Sequence, residues 1–258
     1  MLPGTASYVW LFVIGLLASI LGSMVGLGGG FIIVPVLRIF YGLSPPLAAG
    51  TSLALVIANS ASASTSYLLQ RRVHLRTGWL VAAGGIPGGI LGAIAVKHAP
   101  PRVFDWLFAA FLLVVSADIA INRERRLAHR TAPAPGKENA RGTLATGFAV
   151  GFVSSLFGVG GGVILIPSLL YFSALPAHVI AATSQFAILL TSPIGFLTQL
   201  FQHDVAWSYA IPLVLGGILG GPIGARLSSR IKSPVLMLCV ACALTAAALA
   251  LVFRDIFG

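Results

Sequence analysis

Two glycine clusters carry the clearest chemical signal in this chain: GLGGGFIIVPVL at 26–37 and GVGGGVILIPSL at 158–169. Glycine permits the positive φ of a tight turn and lets a ligand approach the backbone closely. The first amides of a helix lack internal partners and carry a partial positive charge, so a helix that begins just after each cluster favours an anion. The alternative is a tight turn that only packs against neighbouring helices. The candidate anion-binding glycines are Gly28, Gly29, Gly30, Gly160, Gly161 and Gly162.

Polar side chains follow each cluster at helical spacing. Ser52, Asn59 and Ser66 recur at every seventh position within an apolar block, so they share one helix face. Hydroxyl and amide groups can donate hydrogen bonds to an oxyanion. The other interpretation is hydrogen bonding between helices, worth only about 0.6 kcal/mol on average, and for any one residue both stay open. The side chains predicted to bind are Thr51, Ser52, Asn59, Thr183, Ser184, Gln185 and Thr191.

Other kinds of chemistry lack a matching pattern. The histidines do not recur at metal-ligand spacing, and Cys239 and Cys242 lie in an apolar run without a His or acidic companion. The sequence shows no buried nucleophile with a base, which argues against an intramembrane enzyme. We therefore expect no enzymatic activity, no metal and no cofactor.

Composition indicates a membrane protein. The 258 residues are 57% hydrophobic and only 9% charged, whereas a soluble domain carries roughly a quarter charged residues. The net charge of +10 lies mostly in short segments between apolar runs. There it orients helices in the bilayer, and we expect no nucleic-acid partner. The apolar N-terminal stretch is interpreted as the first membrane element, not a removed signal.

The two halves of the chain align in a single register, the one that pairs position 26 with position 158, which indicates an internal duplication. Besides the clusters, the Thr-Ser pair at 51–52 recurs at 183–184, and the glycines of 84–92 recur at 216–224. Those later glycines are interpreted as packing seams between helices. The predicted division is a first unit at 1–121, a cytoplasmic linker at 122–142 and a second unit at 143–258. We call this alignment the repeat register.

Each unit contains four apolar blocks, and the first is broken by its glycine cluster. The blocks are 8–41, 46–70, 78–97 and 103–121, then 143–172, 177–201, 206–225 and 234–253. The broken blocks predict a helical hairpin with at least one arm too short to cross roughly 30 Å of hydrocarbon. The fold class expected is an all-α polytopic membrane protein of two inverted-topology repeats. Each repeat is a broken glycine-turn helical hairpin plus three spanning helices.

Positive charge supplies the expected topology. Basic residues concentrate at 71–76, in the linker and at 226–232, which places these segments in the cytoplasm, with 201–206 outside. Both termini are then periplasmic, and the two units are inverted. Lys97, His98 and Arg102 oppose this assignment but are outnumbered. Arg38 is expected to extend toward the outer interface.

The paired motifs, with the GTS and ATS segments that follow them, resemble the sulfite exporter TauE/SafE family over nearly the whole chain. The resemblance implies an inner-membrane transporter for small sulfur-containing anions such as sulfite or organosulfonates. It implies a binding region at the two glycine clusters with Thr51, Ser52, Thr183 and Ser184. Gln185 stands where the first unit has Leu53, so the site is not symmetric.

The function expected is export of such an anion by alternating access, with binding near the bilayer midplane. An anion channel and a carrier of another small organic anion are the alternatives, and a membrane scaffold is a further one. Expected partners are the small anion and the lipid bilayer, and pairing into a homodimer is left open.

Overall fold

The computed structural model describes residues 5–121, 140–172, 175–228, 241–242 and 244–253, and these residues are all-α, as predicted. Most of the predicted linker, and part of the last apolar block, lie outside the described residues. The helices are α1 (Thr5–Val25), α2 (Gly30–Ile39), α3 (Pro45–Leu69), α4 (Leu75–His98), α5 (Pro101–Ile121), α6 (Ala140–Phe157), α7 (Gly162–Phe172), α8 (Ala177–Phe201), α9 (Trp207–Leu227) and α10 (Leu244–Phe253).

Both broken blocks are helical hairpins, as the glycine clusters predict. Between α1 and α2 the chain reverses through residues 26–29, where Gly28 and Gly29 have φ of 90° and 88°; Gly160 and Gly161 do the same between α6 and α7. These left-handed conformations favour glycine. The second arms have 10 and 11 residues, or about 15 Å of helix, which is half the hydrocarbon thickness.

Five helices in the described part of the chain are long and apolar enough to cross a membrane: α1, α3, α4, α8 and α9. The outward faces of α4 and α9 carry exposed apolar side chains, including Ile86 and Ile90 on α4 and Ile211 and Ile218 on α9. Contiguous exposed apolar surface of this kind suits lipid contact. Together these helices form a multi-pass membrane protein.

Glycines hold the helices close together. A Cβ added at Gly88 of α4 would lie 2.1 Å from the carbonyl oxygen of Phe148 on α6. One added at Gly220 of α9 would lie 2.7 Å from that of Leu16 on α1. The predicted packing seams are confirmed, and each seam joins a helix of one predicted unit to a helix of the other.

Segments that share a predicted membrane side also share an end of the molecule. At one end, Arg72 donates to Ser228 Oγ (3.4 Å), so the basic segment 71–76 adjoins the end of α9. At the other end, the turn that joins α8 to α9 reaches Thr51 at the start of α3 through Ala206 N (3.0 Å). The inversion of the units, their limits and their membrane sides stay predictions.

Arg38 is a correction to the sequence analysis. It was expected to extend toward the interface, but only 3% of its surface is exposed, and its guanidinium forms a bidentate ion pair with Asp105 on α5. Arg38 Nη1 also donates to the carbonyl of Leu43 (2.6 Å). The pair fixes the far end of α2, so the hairpin arm is anchored at the end opposite its glycine turn.

Candidate functional site

The two glycine turns meet in the centre of the described helices. A Cβ added at Gly30, the first residue of α2, would lie 2.3 Å from the carbonyl oxygen of Gly158. One added at Gly162, the first residue of α7, would lie 2.2 Å from that of Gly26. Each short helix therefore begins against the opposite turn, and only glycine allows this approach. The N-terminal partial positive charges of α2 and α7 are brought into one region.

Ser52 and Ser184 connect the turns to the central helices α3 and α8. Ser52 Oγ donates to the carbonyl of Gly158 at 2.9 Å, and Ser184 Oγ donates to the carbonyl of Gly26 at 2.7 Å. Both serines are fully buried. The two bonds are equivalent in the repeat register, and each joins one predicted unit to the other. We call this pair of bonds the serine latch.

Thr51 and Thr183 lie beside the latch and accept hydrogen bonds. Thr51 Oγ1 accepts from the amide of Ala206 (3.0 Å), and Thr183 Oγ1 accepts from the amide of His74 (2.9 Å). These bonds are again equivalent in the repeat register. Each threonine therefore ties the first turns of a central helix to the connection that leads into a spanning helix.

The remaining predicted side chains break the symmetry. Asn59 Nδ2 donates to the carbonyl of Gly28, and Gln185 Nε2 donates to that of Gly22, both at 3.0 Å. Thr191, the counterpart of Asn59, donates instead to Ala187 of its own helix (3.0 Å). The structure thus brings Asn59 and Gln185 to the first hairpin by hydrogen bonds, and it gives Thr191 no such bond to a turn among the described residues.

Two polar anchors were missed by the sequence analysis. Tyr67 Oη donates to the carbonyl of Ser23 (2.8 Å), and Gln199 Nε2 donates to that of Ser155 (2.9 Å). Each accepting residue lies three positions before the first glycine of its turn. Both anchors are fully buried. The sequence did contain a signal for these anchors, because Tyr67 and Gln199 occupy equivalent positions in the repeat register and both can form hydrogen bonds. The two residues differ in type, which obscured the equivalence.

Four of the predicted side chains are donors suited to an oxyanion, and each of them is engaged with the protein. Side-chain donors of Ser52, Ser184, Asn59 and Gln185 bind carbonyls of the hairpins. Apolar Val56 completes the contact, lying 2.7 Å from a Cβ added at Gly160. The arrangement is therefore a closed one: the two turns are in contact, and these four donors are bound to backbone carbonyls. No group of three metal-binding side chains occurs within the described ranges.

Comparison with known proteins identifies the family of the chain. The model of the sulfite exporter TauE/SafE family matches residues 11–251, which include both hairpins. The chain belongs to the sulfite exporter TauE/SafE family. No solved structure matches it.

Curated relatives agree with the family match. The chain is 32% identical over 230 residues to a probable membrane transporter protein, YunE, of Bacillus subtilis, covering 81% of this chain and 84% of the relative. It is 29% identical to YtnM of the same organism, also a probable membrane transporter protein, and the match covers 80% of this chain and 69% of the relative. A probable membrane transporter protein of Haemophilus influenzae is 27% identical, and the match covers 81% of this chain and 80% of the relative. This TauE/SafE protein is a membrane transporter.

Proposed function

We propose that this TauE/SafE protein exports small sulfur-containing anions such as sulfite or organosulfonates, and that it does so across a bacterial-type inner membrane. The observation that carries the proposal is the meeting of two glycine turns, each held by a serine of a central helix at 2.9 Å and 2.7 Å. The family's description as a sulfite exporter supports the choice of substrate. The small anion and the bilayer are the partners this role requires.

The anion binds when the two serines of the serine latch exchange their bonds to backbone carbonyls for bonds to the anion. When the turns separate, Ser52 and Ser184 lose their carbonyl acceptors and become free to donate to a sulfite or sulfonate oxygen. The amides at the start of α2 and α7 supply further donors and partial positive charge. Gly28, Gly29, Gly160 and Gly161 let the anion reach the backbone. Asn59, Gln185 and Thr191 differ between the halves and orient the anion.

Alternating access would use the two ends of the molecule in turn. Opening at the end that holds Ala206 breaks the bond to Thr51, whereas opening at the other end breaks the bond from His74 to Thr183. The charge pattern supports a cytoplasmic linker at 122–142 and periplasmic termini, with inverted units. Export of an anion is then electrically downhill, by about 2.3 kcal/mol per charge for each 100 mV.

Flux of radiolabelled sulfite and of a small sulfonate into proteoliposomes tests the proposal, with and without an imposed membrane potential. We expect saturable uptake in which the two anions compete, and a several-fold loss with Ser184→Ala. Thr198→Ala is the matched control, because Thr198 donates to its own helix at Ile194 (2.9 Å). Flux without saturation would indicate a channel, and flux of neither anion would refute the substrate assignment.

A further inference from the structure

The turn between α8 and α9, residues 202–206, contains a carboxyl group in an unusual setting. Asp204 is half-buried, but its Oδ2 is inaccessible to solvent and has no hydrogen-bond partner among the described residues. The side-chain oxygens of Gln199 and Gln202 are likewise buried and without a partner there. Gln199 is fully buried, and its amide nitrogen is already engaged with Ser155. Three buried acceptor oxygens thus occur between positions 199 and 204, and buried acceptors of this kind normally have donors.

Backbone contacts hold this group against the start of α3. Asp204 N donates to the carbonyl of Gln199 at 3.0 Å. A Cβ added at Gly50 would lie 2.1 Å from Asp204 O and 2.6 Å from Gln199 Oε1, so both oxygens flank the same glycine. Gly50 directly precedes the Thr51 and Ser52 pair. Gln199 Oε1 and the backbone of Asp204 therefore lie close to the first serine of the serine latch.

A proton bound to Asp204 would supply a hydrogen-bond donor to these buried oxygens. Burial raises the pKa of Asp204 above its ordinary value, while the positive charges of Lys97 and His203 act in the opposite direction. Once neutral, the carboxyl has an O–H that can donate, whereas the ionised form adds another buried acceptor. The equivalent position in the first unit is Arg72, so the two ends of the molecule differ in charge at equivalent places.

We propose that Asp204, with the amide oxygens of Gln199 and Gln202, forms a cation site that takes a proton, and that the bound proton keeps this end of the anion site closed. The proposal rests on the proposed function, because the gate it describes serves the same site. Proton binding holds the 202–206 turn against Gly50, which preserves the bond from Ala206 to Thr51. The neighbouring Ser52 then stays latched to Gly158.

The sign of the pH effect follows from linkage. Opening exposes the buried Oδ2 of Asp204 to water, which returns the pKa of the carboxyl toward its ordinary value, so the closed form binds the proton more tightly. Acid therefore favours the closed form. As pH rises through the raised pKa of Asp204, that preference is lost and this end opens more often.

Cysteine accessibility tests the gate without measuring transport. Ala206→Cys keeps the backbone amide that donates to Thr51, and Pro100→Cys is an exposed control. Both are made in full-length protein in which Cys239 and Cys242 are replaced by alanine. The rate of reaction with a membrane-impermeant maleimide at position 206, divided by that at position 100, should fall several-fold as the pH is lowered from neutral through the raised pKa of Asp204 to below the ordinary pKa of an aspartate.

Variants at Asp204 test whether this carboxyl causes the pH response. Asp204→Asn imitates the neutral carboxyl and should keep the ratio low at every pH, whereas Asp204→Glu should restore the pH response. A pH-independent ratio in the parent, or a response that persists in Asp204→Asn, would overturn the proposal. A ratio that follows sodium concentration at constant pH would replace the proton by a metal cation. Because no flux is measured, failure to transport sulfite leaves this test intact.

Discussion

The close approach of the two hairpins predicts the effect of one added methyl group. Gly30→Ala places a Cβ 2.3 Å from the carbonyl oxygen of Gly158 and 2.9 Å from the α-carbon of Val159. Both neighbours are backbone atoms, so no side chain can rotate away. The turns must separate by about 1 Å, and overpacking of this kind costs about 1–3 kcal/mol. Gly30 is not among the positive-φ glycines, so backbone strain does not contribute.

Gly89→Ala is the matched control for this substitution. Gly89 is also helical, but its added Cβ would meet nothing closer than Ser155 Oγ at 3.3 Å. Alanine is favoured over glycine in a helix by about 1 kcal/mol, so this variant should be neutral or slightly more stable. Chemical unfolding of the purified protein in mild detergent compares the two. Equal free energies of unfolding for Gly30→Ala and Gly89→Ala would refute the close approach of the turns.

Further predictions concern the anchors of the hairpins. Asp105→Leu removes the carboxylate that neutralises the buried Arg38 guanidinium and should lower the free energy of unfolding by about 3–5 kcal/mol. The double variant with Arg38→Met should recover most of that loss, with both variants measured by unfolding in detergent. If the single variant is as stable as the parent, the pair is not buried. Ser52→Ala and Ser184→Ala should each lower that free energy by about 1 kcal/mol, and by similar amounts because the bonds are equivalent. Costs differing severalfold would contradict the symmetric latch, with Thr198→Ala as reference.

The helices and their breaks could be predicted because they follow from local sequence. Apolar length identified α3, α4, α8 and α9, and the glycine clusters located both turns, since positive φ and close approach are properties of single residues. The repeat register also indicated which positions are equivalent. Equivalence does not reveal contact, however, and the sequence contained no sign that Ser52 reaches across to Gly158.

Long-range pairing accounts for what the sequence analysis missed. Arg38 was expected at the interface because its partner, Asp105, is 67 positions away along the chain. The predicted binding side chains were expected to face an anion, but their donors are engaged with backbone carbonyls in this closed arrangement. Whether a hydroxyl serves a ligand or a neighbouring carbonyl depends on how two hairpins meet, which no local pattern encodes.

Equilibrium binding of radiolabelled sulfite to the purified transporter tests the central claim most directly, because it needs no assumption about gating or driving force. We expect saturable binding of a single anion per chain. Replacing both Ser52 and Ser184 by alanine should weaken that binding by at least about tenfold, since two donors to the anion are lost. Thr198→Ala should leave it unchanged. Undiminished binding in the double variant would contradict a site at the meeting point of the two glycine turns.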